Sequence, residues 1–315
     1  MAAMTPSEAT FLAPPGEVAD WRLVLLCDAV GGAGVFDALP GDADSLAGAL
    51  GLDPHALRVE LDALVALGVV DAGAGGGYER NATTPDAALL AVVRHHARSL
   101  KRWAGAVDRR VRDEPVERGD IGDPEAFHDA LALSARRMAP AVVDACLARF
   151  PGARTVLDLG GLHGEYSLEF ARRGLEATMQ DMPAMIEVAR RKGRLEPAGV
   201  TLYEGSFFES VPGGPFDLAF CTGITHTFDG ERNLTLFRNL RPVVAAGGGV
   251  AVTTFLRGES PTSALFAVQM LVNGNGGDTH TEAEYRQWLG EAGFTVDEAV
   301  HPLQGPGARS VLFAT

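Results

Sequence analysis

Lysine is almost missing from the 315-residue chain. Only Lys101 and Lys192 are lysines, and the other 25 of its 27 basic residues are arginines. Against 41 acidic residues they leave a formal charge of −14. That balance argues against DNA, RNA or an anionic bilayer as partner, because those surfaces are held by an excess of Lys and Arg. Cysteine is scarce too: Cys27, Cys146 and Cys221 are far apart, odd in number and without a Cys-x-x-Cys pair. Neither a disulfide framework nor a zinc site is encoded, and a reducing cytoplasm is the expected compartment. The apolar run over residues 23–36 is broken by Asp28 and by glycines and is too short to span a bilayer. The opening MAAMTPSEATFLAPPG has neither the basic nor the apolar segment of a secretory signal. His55, His95, His96, His128 and His301 show no metal-ligand spacing, so no metal site is expected. No Gly-x-Ser-x-Gly elbow announces a covalent nucleophile.

The chain does have a hydrophobic share of 46% with 22% charged residues, the balance of a globular protein of about two domains at roughly 100–200 residues each. Apolar side chains recur at helical spacing over 17–39 (Val18, Trp21, Leu25, Val35, Leu39), with Gly31-Gly32-Ala33-Gly34 dividing two short helices. A helix opening at Asp44-Ser45-Leu46-Ala47, a turn at Gly51-Leu52-Asp53-Pro54 and a periodic run through Leu57, Leu61, Leu64 and Leu67 read as helix-turn-helix. Val69-Val70, a glycine turn over 73–77 and residues 78–83 add the wing of a winged helix. Residues 1–95 hold four basic and thirteen acidic side chains, a net of −9. DNA would be repelled, so the module is expected to pack against a partner subunit rather than to serve a ligand-sensing regulator.

Long helical patterns follow over 88–118 and 127–150, and Pro151-Gly152 marks a boundary. Beyond it, strands are expected over 155–159, 176–180, 200–204, 217–221, 249–255, 295–300 and 310–314, with amphipathic stretches at 165–173, 183–193, 229–241 and 281–292. This alternation predicts an α/β, Rossmann-like, doubly wound and mostly parallel sheet with ligands at the carboxyl ends of its strands. The domains are then 1–95, a helical connector over 96–150 that contributes to the substrate pocket, and 151–315.

Thr155-Val156-Leu157-Asp158-Leu159-Gly160-Gly161-Leu162-His163-Gly164 is a buried strand entering a glycine-rich turn before a helix. Glycine there lets a bound cofactor approach the backbone. The spacing is not the Gly-x-Gly-x-x-Gly of a dinucleotide site, and Asp158 suits a cationic amino-acid ligand better than a pyrophosphate. Asp181 lies 23 residues further on, at the end of the next strand, where a carboxylate accepts from both ribose hydroxyls. The third strand runs into Gly205-Ser206-Phe207-Phe208, whose rings suit an adenine face. The fourth runs into Gly223-Ile224-Thr225-His226-Thr227-Phe228-Asp229. That puts His226 at the cleft, where a histidine is the natural base for a hydroxyl attacking a methyl group, and Asp229 at a helix cap.

These motifs, in this order, resemble those of the class I S-adenosylmethionine-dependent small-molecule O-methyltransferases, the family of plant caffeate, bacterial polyketide and acetylserotonin-type enzymes. The resemblance runs from Phe36-Asp37-Ala38-Leu39 through the glycine turn, Asp181-Met182-Pro183, the His226 segment and Gly276-Gly277 to Ala292-Gly293-Phe294. It implies a homodimer through the N-terminal winged-helix domain and O-methylation of a small aromatic or secondary-metabolite substrate, with S-adenosylmethionine as cofactor. Gly160, Gly161, Gly164 and Asp158 would hold the methionine portion, Asp181 with Met182 the ribose, and Ser206, Phe207, Phe208 and Thr222 the remainder. His226 would be the base. Phe127, Met138, Phe266, Gln269, Met270, Asn273 and His280 are the expected substrate wall, with Leu265 beside them.

The match departs from the family pattern at four places. Leu162 replaces the middle glycine of the turn, and Ser206 an aspartate. Thr254 and Thr279 stand where acids would support the histidine, which leaves Asp278 as the expected substitute. A weaker base calls for a nucleophile that needs little help, such as an acidic phenol, a carboxylate or an activated carbon. The lost acids also open the alternatives of C- or N-methylation, or of hydroxylation, decarboxylation or a pericyclic step on the same fold.

Overall fold

The computed structural model describes residues 21–117, 122–274, 276–303 and 308–315. The chain divides into two units at Lys101/Arg102. In the first, α1 (Trp21–Gly32), α2 (Val35–Ala38), α3 (Ala43–Leu50) and α4 (Pro54–Ala66) precede an antiparallel hairpin, β1 (Val70–Ala72) and β2 (Tyr78–Arg80). The start expected at 17, with Val18, lies outside the described residues. Asp42 caps α3 through the Ser45 N–H at 2.9 Å, and Asp53 caps α4 through the Ala56 N–H at 2.7 Å with Pro54 at its first turn. The periodic leucines Leu57, Leu61 and Leu64 are buried together with Phe36, Val69, Val70 and Tyr78. Each fully buried side chain of this size contributes about 1.5–3 kcal/mol. Helix α5 (Ala87–Val111) carries the chain across the division.

The second unit continues with α6 (Pro124–Arg149), β3 (Thr155–Leu159), α7 (Glu165–Arg172), β4 (Glu176–Asp181), α8 (Pro183–Lys192), β5 (Thr201–Glu204) and β6 (Phe216–Thr222). It ends with α9 (Gly230–Leu240), β7 (Val244–Thr254), α10 (Pro261–Asn273), α11 (Glu282–Glu291) and β8 (Ser310–Ala314). The sheet order is β5-β4-β3-β6-β7-β8, parallel except for β8, which pairs antiparallel with β7. Alternate residues feed two cores. Val156, Leu218, Phe220, Val311 and Phe313 face α6, α7 and α8, whereas Leu157, Leu159, Ala219, Cys221 and Leu312 face α9 and α11. The stripe Ala135, Ala139, Val142, Val143 and Cys146 of α6 lies in the first of these cores, so the helix expected as a connector belongs to the packing of the sheet.

Two strand expectations need correction. Residues 295–300 lie antiparallel beside β8 as an interrupted edge: Thr295 exchanges backbone bonds with Thr315, Asp297 donates to Phe313 and Val300 exchanges bonds with Val311, with isolated bridges at Val296 and Val300 in place of a continuous ladder. Strand β7 begins five residues early, at Val244, because Phe216 pairs there before an irregularity shifts the register. The intervening Ala245-Ala246-Gly247-Gly248 carries no strand signal of its own. Among the described residues no helix is long and apolar enough to cross a membrane.

Candidate active site

The parallel strands deliver their carboxyl ends to one edge of the sheet, and the antiparallel β8 delivers its beginning there. Along that edge, among the described residues, lie buried polar atoms without hydrogen-bond partners: Asp158 Oδ1, Gln180 Oε1, the Thr253 hydroxyl, His226 Nδ1 and Arg309 Nε, with the hydroxyls of Tyr166 and Thr222 paired beside them. Buried polar groups are nearly always satisfied, so such a concentration at one edge marks a ligand site.

The glycine turn after β3 is packed from within. A Cβ on Gly160 would lie 2.3 Å from Ile224, one on Gly161 2.4 Å from Met179, and one on Gly164 2.4 Å from Leu195. The space that glycine was expected to leave for a cofactor is thus filled by the protein, and these residues are glycines because the turn packs tightly. Leu162 holds a left-handed φ of 45°, which costs a non-glycine residue about 1–2 kcal/mol. Its N–H donates to Asp181 Oδ2 at 2.8 Å, and the Met182 N–H donates to Asp181 Oδ1 at 2.7 Å. Asp181 therefore ties the turn to the end of β4, with one lone pair on each oxygen left for a ligand. His163 Nδ1 accepts the Glu165 N–H at 3.2 Å, a bond within the turn.

Asp158 is buried. Ser167 Oγ donates to its Oδ2 at 2.6 Å, while Oδ1 has no partner. Burial first, and then the charge of Asp181, pushes its carboxyl up to about 7, and burial also raises Asp181. No lysine or arginine is among the groups that shift either carboxyl. Two desolvated carboxylates with open lone pairs fit a ligand bearing both a cation and hydroxyls, as S-adenosylmethionine does.

His226 is buried on the short turn after β6, and that turn is held from several sides. The hydroxyls of Thr225 and Tyr285 lie 2.7 Å apart, Asn233 Nδ2 donates to the Thr225 carbonyl at 2.9 Å, and the Asp278 N–H donates to the His226 carbonyl at 2.9 Å. A Cβ on Gly277 would lie 2.3 Å from that carbonyl oxygen, and Gly276 holds a left-handed φ of 79°, which together account for the Gly276-Gly277 pair. The imidazole meets the Phe266 ring edge-on, with centroids 4.7 Å apart. Burial, Arg309 and His280 lower its pKa to about 3, so it is neutral at pH 7.

Several expected site residues are engaged elsewhere. The Asp278 carboxylate pairs with Arg257, so it does not support the imidazole; its backbone N–H positions His226 instead. His280 Nε2 lies 2.8 Å from the Phe228 carbonyl, and its ring packs on Tyr285 and Trp288, a structural role in place of substrate contact. Phe207 is buried in the second core, and Phe208 packs on Phe207 and Phe228 with the Arg232 guanidinium 4.5 Å over its ring. Ser206 Oγ accepts the Phe208 N–H at 3.3 Å. Gln269 accepts from Trp103 Nε1 and donates to Asn273 Oδ1 at 3.0 Å, and Met270 is buried. Leu265 is 46% exposed. Phe127 and Met138 are half-buried on α6. Of the expected wall, Phe266 is the residue in contact with His226. Sequence reasoning missed Tyr166, Thr253 and Arg309. An arginine before a terminal strand carries no signal in a chain with 25 arginines; only the reversed direction of β8 brings it to this edge.

A family model described as an O-methyltransferase domain matches residues 121–295. The chain is 32% identical to the 3-amino-4-hydroxybenzoate 4-O-methyltransferase of Streptomyces cremeus, over 86% of this chain and 79% of that one. It is 27% identical to the 3-hydroxy-5-methyl-1-naphthoate 3-O-methyltransferase of Streptomyces sahachiroi, over 93% and 91%. The crystal structure of human N-acetylserotonin methyltransferase in complex with S-adenosylmethionine superposes with a TM-score of 0.75 at 22% identity, covering 93% of this chain and 94% of that one. The chain belongs to the O-methyltransferase family. It is a methyltransferase whose methyl donor is S-adenosylmethionine.

Proposed function

We infer that the protein methylates a phenolic hydroxyl of a small aromatic acceptor, with His226 as the base. The observation that carries this reading is the neutral, buried imidazole of His226 with an unpartnered ring nitrogen, set edge-on to Phe266. The relatives named for a hydroxybenzoate and a hydroxynaphthoate support the acceptor class. The donor supplies an electrophilic methyl group on a sulfonium, so the protein has to align the acceptor oxygen and exclude water. Asp158 would take the donor's ammonium and Asp181 its ribose hydroxyls. The acceptor ring would rest against Phe266, and the hydroxyl proton would pass to the imidazole nitrogen as the oxygen bonds to the methyl carbon and the carbon–sulfur bond breaks, its electron pair staying on sulfur.

A homodimer formed through the first unit is the second part of this reading. Trp21, Val59 and Leu67 of that unit are exposed apolar side chains at 55%, 55% and 40%, and its acidic balance suits a protein partner better than nucleic acid. Three free, buried thiols favour the cytoplasm.

The test combines calorimetry with mass spectrometry. Wild-type protein binds S-adenosylhomocysteine and adds the mass of one methylene to a hydroxybenzoate. His226→Ala lowers kcat at least tenfold and leaves donor affinity within twofold. Normal turnover by His226→Ala would leave orientation alone as the source of catalysis, and no mass gain on any phenol would end the reading.

A further inference from the structure

Arg309 is the residue immediately before β8. Thr254, the last residue of β7, pairs with Ser310, the first of β8, so the reversed strand begins beside the cleft. The guanidinium is half-buried, its Nε is fully buried without a hydrogen-bond partner, and among the described residues it forms no ion pair. Its carbon lies 5.2 Å from the centroid of the Phe255 ring. Arg309 Nη1 lies 3.1 Å, and His226 Cε1 3.9 Å, from the point that a Cβ on Gly223 would occupy. Guanidinium and imidazole therefore border the same space. Phe255 and Phe266, with ring centroids 4.7 Å apart, stand beside it.

A guanidinium is always charged and presents its donors in a planar fork that matches a carboxylate. Held against the Phe255 ring, with no ion pair among the described residues, it lacks the partner that such a group ordinarily has. We propose that Arg309 receives a carboxylate of the acceptor, and that the acceptors of this enzyme are hydroxyaryl carboxylates. The inference rests on the reading of the cleft as a methyl-transfer site. The donor has a carboxylate of its own. Arg309 starts β8, two strands from β6 on the side away from β3 and β4, but its guanidinium reaches the space beyond the end of β6, so the affinity for S-adenosylhomocysteine in the experiment below separates the two carboxylates. A ring against Phe266 can present its carboxylate to Arg309 and its hydroxyl to His226. Arg309 is also one of the charges that depress His226, so pairing it with a carboxylate makes the imidazole a better base.

The experiment titrates the full-length protein, saturated with S-adenosylhomocysteine, with 3-hydroxybenzoate and with uncharged 3-hydroxybenzamide. Wild type is expected to bind the benzoate at least tenfold tighter than the amide, which is about 1.4 kcal/mol. Arg309→Met and Arg309→Gln remove that preference by weakening the benzoate tenfold, while the amide stays within twofold. Arg309→Lys keeps part of the preference. Unchanged affinity for S-adenosylhomocysteine shows that the variants are folded. Equal binding of the two probes by wild type, no binding of the benzoate, or a preference that survives Arg309→Met each overturns the proposal. So does a tenfold loss of S-adenosylhomocysteine affinity in the variants, which assigns the arginine to the donor. Charge-selective binding without methyl transfer would instead sink the proposed function and leave the role of Arg309 standing.

Discussion

Replacing Asp158 by Asn tests whether the cleft is built to take a cation. The carboxyl is fully buried and raised to about 7 by burial and by Asp181, against an ordinary value of about 3.9. Between pH 4 and pH 7 the folded ligand-free protein therefore holds a proton at Asp158 that the unfolded chain has released. Stability contributed by this group falls as pH rises through that window. A difference of about three units corresponds to about 4 kcal/mol by pH 8. Asn keeps the bond from Ser167 Oγ and cannot ionise. Any constant offset, such as a buried amide N–H without an acceptor, is the same at every pH. His95 and His96, lowered to about 4, and His226, lowered to about 3, run in the opposite direction, but both proteins share them and they cancel in the difference. Urea unfolding of the ligand-free proteins should show Asp158→Asn gaining on wild type by about 3 kcal/mol from pH 4.5 to pH 8. Saturating S-adenosylhomocysteine, which carries an ammonium, should shrink that gain. Parallel stability curves, or equal affinity of both proteins for the ligand, would falsify the assignment of Asp158 to a cationic donor.

Leu162→Gly should raise stability slightly in denaturant unfolding. It removes about 1–2 kcal/mol of left-handed strain at φ 45° against the roughly 0.5–1 kcal/mol that glycine's added freedom costs; a loss of more than about 1 kcal/mol would show that the side chain packs usefully. Asp278→Asn should leave kcat within about twofold and stability within about 1 kcal/mol, because its carboxylate serves a half-exposed pair with Arg257 while its backbone N–H holds His226. A tenfold loss of kcat in steady-state assays would restore it to catalysis.

Much of the sheet was legible because strand and helix periods are local. The bounds of β3 and β8 coincide with expectation, and those of β4, β5 and β6 differ by a single residue at one or both ends. The placement of Asp158 and Asp181 was legible for the same reason: they lie at the carboxyl ends of adjacent strands, and that position follows from the alternation alone. The surroundings of His226 were not. Where the Asp278 carboxylate turns depends on Arg257, and the role of His280 depends on Phe228, Tyr285 and Trp288. A Cys-x-x-Cys pair or a glycine loop announces itself at short range, but contacts such as His280 with Phe228 and Gln269 with Trp103, 52 and 166 residues apart, are set by how helices settle on the sheet. Phe266 was found by its helical position, and Gln269 and Asn273, chosen on the same ground, turned to Trp103 and to each other.

The departures from the family pattern around His226 make sense as one change. Thr254 is buried with its hydroxyl 3.4 Å from that of Tyr285, and Thr279 is buried and donates to the Ser263 carbonyl at 3.3 Å. An acid at either position would stabilise an imidazolium, but one at 254 would also stand beside the start of β8 and compete for Arg309. Without such acids the imidazole, held well below its ordinary value first by burial and then by Arg309 and His280, is a weak acceptor for a phenol proton. The ligand has to relieve the histidine. A carboxylate paired with Arg309 does this by neutralising a charge that depresses His226, and an acid at 254 or 279 would repel that same carboxylate. Negative charge at the ends of β3 and β4 and the positive charge of Arg309 at the start of β8 thus suit a cationic donor and an anionic acceptor in one cleft. The threonines at 254 and 279 are what a site of this polarity requires.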